Sequence, residues 1–249
     1  MHDEVYHQYA RVLNDHWWTE NRRELATWAL QKAGIRPGDN LRILELGSGV
    51  GVEHGFLSQY GSVTGLEISP VGLGYCKERG YEHLLEADLN TFEPDPESFD
   101  LIVDFHVLYH EWIASPLDVL RTLRGGLVPG GVLLTTEPGF ESLRRGHDRS
   151  VMGGRRFSVT EVKQLLSDAG LVIESATAFT SILSPVLLAL ATYERLRPSH
   201  GAQTHVSELE ESPRIVRAGL RSVMALERAL IRKIPMPFGA SVIAVGRND

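Results

Sequence analysis

Residues 43–51, with the sequence ILELGSGVG, constrain what this chain can fold into more than any other stretch. The apolar run at its start suits a buried parallel strand, and Gly47, Gly49 and Gly51 end that strand in a turn without side-chain bulk. Glycine accepts positive φ, so a ligand can lie directly on backbone N–H groups. A helix expected from about Val52 points its partly positive N-terminus at the same place. The stretch therefore predicts a ligand site, with an anionic group against the turn.

The spacing of the glycines argues against a dinucleotide site. The dinucleotide fingerprint is Gly-x-Gly-x-x-Gly, whose third glycine would fall at Val52, whereas this chain has Gly-x-Gly-x-Gly. Glu45 also lies inside the strand, two positions before Gly47, where it would repel a pyrophosphate but could face an ammonium group. Taken alone, the turn also fits other α/β proteins.

Two acidic residues follow at the ends of the next predicted strands. Residues 62–67 read as a second strand that ends at Glu67. A carboxylate there can accept hydrogen bonds from both hydroxyls of a ribose. Glu67 could instead cap the next helix, although Ser69 before Pro70 suits that role. A short third strand leads to Asp88, which is either a ligand-binding acid or an ordinary turn aspartate.

A fourth strand at 99–104 runs into the segment FHVLYHE, and a Pro-Gly-Gly turn at 129–131 precedes a fifth strand. With residues 43–51, Glu67 and Asp88, these features resemble the motifs of class I S-adenosylmethionine (SAM) methyltransferases of the small-molecule type, in the same order. The resemblance covers roughly residues 40–180 and the last strand.

The resemblance implies an α/β, Rossmann-like fold: a seven-stranded, mostly parallel sheet with helices on both faces, whose last strand is antiparallel beside the fifth and sixth. It implies SAM as the cofactor and S-adenosylhomocysteine (SAH) as a product. The backbone carbonyl of Phe105 would receive the SAM ammonium, and Arg22 its carboxylate. The residues expected to contact the cofactor are Arg22, Glu45, Gly47, Ser48, Gly49, Gly51, Glu67, Ile68, Asp88, Leu89 and Phe105.

Three segments are expected. Residues 1–36 form an N-terminal helical segment or lid, in which Asn21 and Glu24 mark a helix start. Residues 37–180 with 239–249 form the SAM-binding core. Residues 181–238 form a helical insertion before the last strand, and we expect it to cap the substrate.

Within the insertion, helices are predicted at 182–197 and 215–234, with a polar loop at 198–213 between them. In the second of these helices, Glu227 interrupts an apolar stripe. Its carboxylate could pair with an arginine, contact the substrate, or lie at the edge of a wide stripe.

The candidate catalytic residues follow the fourth strand, where open α/β sheets bind ligands: His110, His106 and Tyr109. A base is needed only if the nucleophile must lose a proton, and the two histidines are the first candidates. If a helix begins there, they share a face and could hold a metal, but no acidic pair accompanies them and no metal is predicted. His110 could instead make a structural hydrogen bond.

The candidate substrate residues lie in less constrained segments and comprise Trp18, Arg144, His147 and Glu227. Trp18 belongs to an aromatic segment that could equally be core packing. Arg144 and His147 lie in an arginine-rich loop at 144–156, which could receive an anionic group of the acceptor or be a solvated loop.

The composition narrows the class of protein. The net charge of −7 argues against a role in coating nucleic acid or binding membranes. The single cysteine, Cys76, excludes an internal disulfide. The polar first residues contain no signal-peptide pattern, so a cytoplasmic location is expected. The chain is expected to be a monomer or a homodimer.

Methylation of a small biosynthetic acceptor is the favoured function, at oxygen or nitrogen and less so at carbon. The alternatives are a SAM-fold enzyme with a non-methylating reaction and a non-catalytic SAM-binding protein.

Overall fold

The computed structural model describes residues 3–14, 16–196 and 213–249, which are built around a seven-stranded sheet. The strands are β1 (Leu41–Leu46), β2 (Gly61–Glu67), β3 (His83–Glu86), β4 (Phe99–Phe105), β5 (Leu127–Pro138), β6 (Val172–Phe179) and β7 (Ser241–Arg247). Their order is β3-β2-β1-β4-β5-β7-β6, and β7 is antiparallel to both of its neighbours. The predicted Rossmann-like fold is confirmed, including the position of the last strand.

Helices pack on both faces of this sheet. They are α1 (Asp3–Val12), α2 (Trp17–Lys32), α3 (His54–Leu57), α4 (Pro70–Glu78), α5 (Pro116–Gly125), α6 (Gly146–Ser150), α7 (Val159–Asp168), α8 (Ser184–Leu196) and α9 (Arg214–Ile231). A 3-10 helix spans Glu141–Leu143.

Successive side chains along the strands pack alternately into two hydrophobic cores. On β1, Ile43 packs into a core with residues of α2 and α3, whereas its neighbour Leu44 packs into a core with residues of α5 and α7. Both side chains are fully buried. Successive strand residues point to opposite faces, so an apolar run such as 43–46 requires cover on both sides.

The strand order creates an opening above β1 and β4. From β1 the chain moves outward to β2 and β3, then returns to β4 on the other side of β1 and continues to β5. The connections that leave β1 and β4 therefore diverge, and the carboxyl ends of these strands are left open to a ligand.

Side chains cap the starts of two helices, and the start at Ser69 was predicted. The Ser69 hydroxyl accepts from the Gly72 N–H, with Pro70 as the first residue of α4. Glu67 and Ser69 thus have separate roles, as one of the sequence readings proposed. The capping box of α7 is also formed, because Ser158 and Glu161 each accept from the other's backbone N–H.

The predicted start of α2 at Asn21 is wrong. The helix begins at Trp17, and the His16 side chain caps it by accepting from the Trp18 N–H. Asn21 is instead buried inside the helix, where its amide contacts the sulfur of Met224 and accepts from Arg228 at 2.7 Å. The apparent capping pattern reflects a contact with α9.

Two further helix predictions need correction. The helix expected from about Val52 is only the single turn α3. No helix begins at His106 either: its φ is +64°, and a turn follows β4. The argument that His106 and His110 share a helix face therefore fails.

The insertion contains α8 and α9, while most of its predicted polar loop at 198–213 lies outside the described residues. The buried face of α9 consists of Met224, Glu227 and Ile231. Glu227 is thus at the centre of the packed face, and the stripe read from the sequence is displaced around the helix. In the described part of the chain, no helix is long and apolar enough to cross a membrane.

Candidate active site

A cavity of about 560 Å³ lies at the carboxyl ends of β1, β2, β4 and β5. All but three of the residues predicted to form the site line it: Trp18, Arg22, Glu45, Gly47, Ser48, Gly49, Glu67, Ile68, Asp88, Leu89, Phe105, His106, Tyr109, His110 and His147. The exceptions are Gly51, Arg144 and Glu227. The strand tips form one end of the cavity, and segments 106–112 and 143–156 form the other.

The glycine turn divides into an open part and a packed part. Gly49 has φ +58°, and a Cβ added to it would meet only the Gly47 carbonyl oxygen within 4 Å, at 3.8 Å. The backbone there is accessible to a ligand. Gly51 faces the protein instead, because an added Cβ would come within 3.1 Å of both Cys76 and Tyr81. Close packing, rather than a ligand, accounts for glycine at position 51.

Glu67 is held at the tip of β2 by the turns around it. Its carboxylate accepts from the N–H groups of Gly49 at 2.7 Å, Ile68 at 3.0 Å and Ser69 at 2.8 Å. The Tyr6 hydroxyl of α1 also donates to it, at 3.0 Å. A carboxylate has about four acceptor sites, and these four donors match that number, so a ligand hydroxyl must replace one of them; Tyr6 is the one donor of the four that is a side chain. No local pattern in the sequence marks Tyr6 as a site residue.

Glu45 is buried beside the glycine turn and accepts a hydrogen bond from the Tyr81 hydroxyl. Burial raises the pKa of Glu45 to about 8, even though the Tyr81 bond lowers it. A cationic group entering the cavity would favour the charged form and lower the pKa again. This geometry suits the predicted ammonium partner.

Asp88 is a turn aspartate that also lines the cavity. Its Oδ1 accepts from the backbone N–H of Asn90 at 2.9 Å and from the Asn90 side chain at 2.7 Å, as a turn aspartate does. Asp88 and the buried Leu89 nevertheless line the cavity. The carboxylate of Asp88 is suited to the polar edge of a flat heteroaromatic ring, and the side chain of Leu89 is suited to its face.

Arg22 lies between two aromatic rings at the centre of the site. Its guanidinium carbon is 4.6 Å from the ring centroids of both Trp18 and Phe105. It donates to Glu53, a buried acid that also accepts from Arg23 at 2.7 Å and lines the cavity. Sequence reasoning missed Glu53 because nothing in its local pattern separates it from a surface acid.

His106 is strained and unpaired at the junction of the two ends of the cavity. Its φ of +64° is uncommon for a residue with a side chain. Its ring forms a T-shaped contact with the Trp18 ring, and the two ring centroids are 4.9 Å apart. Burial, followed by the charge of Arg22, holds the pKa of His106 well below its usual value. His106 is therefore a neutral imidazole in the cavity wall, and its buried Nε2 has no protein partner among the described residues.

His110 and Tyr109 form a stacked aromatic wall. The His110 ring lies 3.8 Å from the Trp112 ring and 4.0 Å from that of Tyr109. Burial lowers the pKa of His110 to about 3 and raises the pKa of Tyr109 well above its usual value. Both side chains are therefore neutral near pH 7.

The arginine-rich segment is largely paired with carboxylates. Arg145 lines the cavity and donates to Glu194 of α8 at 2.6 Å. Arg156 also lines it and donates to the buried Asp148 at 2.8 Å. Arg144, which was predicted to bind substrate, is directed to Glu141 and to the Gly153 carbonyl outside the cavity.

Glu227 has a structural role in place of the predicted substrate contact. Its carboxylate accepts from the N–H groups of Thr180 and Ile182, the latter at 2.7 Å. It thereby fixes the turn between β6 and α8, in which Thr180 has a φ of +56°. The described residues contain no group of three or more side chains that could hold a metal ion.

Comparison with known proteins assigns the core. Residues 44–135 match the family model described as a methyltransferase domain. This stretch includes the glycine turn, Glu67, Asp88 and the 105–110 segment. This part of the chain is similar to a methyltransferase domain.

Solved structures share the fold of this chain. Phosphoethanolamine N-methyltransferase 2 from Haemonchus contortus superposes with a TM-score of 0.61 at 18% identity, over 99% of this chain and 58% of that one. A SAM-dependent methyltransferase from Mesorhizobium loti gives 0.55 at 18%, over 89% and 97%. The cyclase SpnF gives 0.57 at 19%, over 92% and 82%.

One curated relative matches in sequence. It is described as an uncharacterized 37.1 kDa protein in transposon TN4556 of Streptomyces fradiae, and it is 26% identical over 245 residues. The match covers 90% of this chain, which spans 66% of the length of that relative.

Proposed function

We propose that this chain transfers the methyl group of SAM to a neutral small-molecule acceptor that carries a hydroxyl or amine. SAM supplies a methyl group already activated by its sulfonium. The chain must therefore mainly position the acceptor and receive a proton where the nucleophile has to lose one, and proximity can contribute about 7–11 kcal/mol.

The residues at the strand tips fit SAM. The open space at Gly49 and the acids Glu45 and Glu67 offer room and carboxylates to a ligand that has both an ammonium group and a ribose diol. Asp88 and Leu89 would flank the base of the nucleoside, and Arg22 with the Phe105 carbonyl would meet the amino-acid end.

The proposed general base is His106, whose Nε2 has no partner among the described residues. A general base must be neutral and lie within hydrogen-bond reach of the proton it removes. His106 lines the cavity, and its pKa is lowered by burial, so the imidazole is unprotonated at neutral pH. His110 and Tyr109 shape the wall beside it, while Trp18 and His147 complete the acceptor end.

The charges around the cavity favour a neutral acceptor. The two arginines of the 143–156 segment that line it, Arg145 and Arg156, each bind a carboxylate of the protein. These paired arginines are therefore a weaker reason to expect an anionic group on the acceptor. The aromatic rings of Trp18, Tyr109 and Trp112 offer flat apolar surface, which suits a ring or another apolar body that bears the nucleophile.

Turnover by the purified chain with SAM and a panel of hydroxylated and amino aromatic compounds tests the proposal, with mass detection of SAH and methylated product. His106→Ala is expected to reduce the rate with an active hydroxyl acceptor by about 10²–10⁴-fold. His83→Ala, at an exposed position on β3, is the matched control. Because His106 is already neutral, the wild-type rate should not fall near pH 6.5.

Two outcomes contradict the proposal. Product formation without SAH would indicate a reaction that does not consume SAM, and the cyclase SpnF shows that this fold is not confined to methyltransferases. An unchanged rate in His106→Ala would remove His106 as the base.

A further inference from the structure

Two carboxyl groups lie next to each other inside the fold, behind the cavity. Asp104 is the penultimate residue of β4 and Glu137 the penultimate residue of β5, and their exposed fractions are 0% and 2%. Each carboxyl group affects the pKa of the other, and the buried Glu137 Oε2 has no hydrogen-bond donor among the described residues. The functions proposed above assign no role to either residue.

Both carboxyl groups also bind the backbone that follows β4. Asp104 accepts from the Val107 N–H at 3.0 Å, and Glu137 accepts from the Leu108 N–H at 3.0 Å. The Thr135 hydroxyl adds a bond of 2.6 Å to Asp104. These two amides lie in the turn that carries His106 and the wall residues after it.

A shared proton explains how the two acids coexist. Burial raises the pKa of both, and the pKa of Glu137 is raised further by the charge and the hydrogen bond of Asp104. The charge of Arg22 on α2 acts in the opposite direction on Asp104. Tyr109, whose own pKa is raised, faces Glu137, and the β7 neighbour of Glu137 is the uncharged Val242.

The hydrogen bonds identify the donor. Asp104 Oδ1, Asp104 Oδ2 and Glu137 Oε1 each accept from a neighbouring group, whereas the buried Glu137 Oε2 has no donor among the described residues. A proton on Glu137 Oε2 would donate to the Asp104 carboxylate. The contact between the two acids needs this one proton, because two buried carboxylates in contact repel each other.

We propose that Asp104 and protonated Glu137 are a positioning pair that holds the turn at 106–108 and so directs His106 into the acceptor end of the cavity. The strained φ of His106 supports this role, since such a backbone persists only where its surroundings fix it. The inference rests on the proposed function, but the pair itself can be tested without an acceptor.

The test uses the full chain and measures two properties from pH 6 to 9: hydrogen exchange of the Val107 and Leu108 amides, and the infrared band of protonated carboxyl groups. Glu137→Gln keeps a donor for Asp104 and an acceptor for Leu108 but cannot ionise. Glu137→Ala removes both. Glu24→Gln, at an exposed position on α2, is the matched control.

The wild-type protein should show protonated-carboxyl bands near pH 7, and Glu137→Gln should lack one of them. Glu45, whose pKa is about 8, also contributes a band, which Glu45→Gln identifies. The Val107 and Leu108 amides should be protected in the wild type and in Glu137→Gln across this pH range, whereas protection should fall on the order of tenfold in Glu137→Ala.

If Glu45→Gln shows no protonated-carboxyl band near pH 7, or if Glu137→Ala protects the two amides as well as the wild type does, the proposal is overturned. The infrared measurement on Glu45→Gln needs no variant of Glu137, so it decides the matter even if those variants fail to fold. Binding of SAH is measured on the same samples. Its absence from a wild type that shows the band and the protected amides would contradict the proposed function while leaving the pair intact.

Discussion

The two ends of the cavity are built in different ways. The strand tips present backbone amides and carboxylates, and their key residues occur within the continuous stretch 45–105. The acceptor end presents neutral rings and arginines already paired with carboxylates. Its parts come from α2, the 106–112 segment, the 143–156 segment and α8.

The difference follows from what holds each end in place. Strand tips are fixed by the register of a parallel sheet, in which Glu45 and Glu67 end neighbouring strands. The acceptor end depends on long-range pairs, such as Arg145 with Glu194, which are 49 positions apart. Substitutions at the strand tips should therefore change cofactor binding, and substitutions at the acceptor end should leave it almost unchanged.

The largest expected effect on cofactor binding is that of Glu67→Gln. The amide has one acceptor oxygen in place of two, so it cannot bind both ribose hydroxyls, and bonds to a charged group are worth about 1.5–3 kcal/mol each. We expect the dissociation constant for SAH, measured by calorimetry, to rise on the order of tenfold to a hundredfold. Glu86→Gln, at the exposed tip of the adjacent strand, is the control. A change below twofold in Glu67→Gln would remove Glu67 from the site.

A change of pH is expected to have a smaller effect on the affinity for SAH. The pKa of Glu45 is about 8, so this acid is mostly protonated at pH 7, and binding of the ammonium group of SAH should release its proton. Affinity should rise by up to about tenfold between pH 6.5 and 8.5. Calorimetry in buffers of different ionisation enthalpy should detect the released proton. Glu45→Gln should bind with little pH dependence, and an equal slope in both proteins would contradict the assignment.

The smallest effect on cofactor binding is expected for His110→Phe, at the acceptor end. Phenylalanine keeps the stacking on Trp112, so SAH affinity should stay within about twofold. Only the free energy of unfolding at acidic pH should change.

The direction of that change follows from the pKa of His110, which is about 3 when folded and near 6.5 when unfolded. Between these values the unfolded chain binds the extra proton, so wild type loses up to about 1.4 kcal/mol per pH unit as pH falls. Thermal unfolding from pH 7 to 4 should show a shallower decline in His110→Phe. A large loss of SAH binding in this variant would abolish the proposed separation of the two ends.

Local sequence patterns predicted the strand-tip end well because its residues are tied to strand ends. Glu67 and Asp88 were found from their positions after predicted strands, and both line the cavity. Tyr6 and Glu53 were missed, since each reaches the site only through the packing of α1 or through a pair with Arg22 on α2.

The acceptor end was predicted less well. Glu227 looked like an acid in an apolar stripe, but its partners are backbone amides 45 and 47 positions away. Arg144 and Arg145 are neighbours of the same type, and only the fold directs one to Glu141 and places the other in the cavity wall.

The sequence by itself determined the order of strands and helices, the glycine turn and the acids at the strand tips, because periodicity and turn chemistry are local. The tertiary structure decided which charges are compensated, which histidine nitrogen lacks a partner and which acids share a proton. Those properties depend on burial and on contacts between distant segments, and burial is the largest cause of the pKa shifts of Glu45, His106, His110 and Glu137.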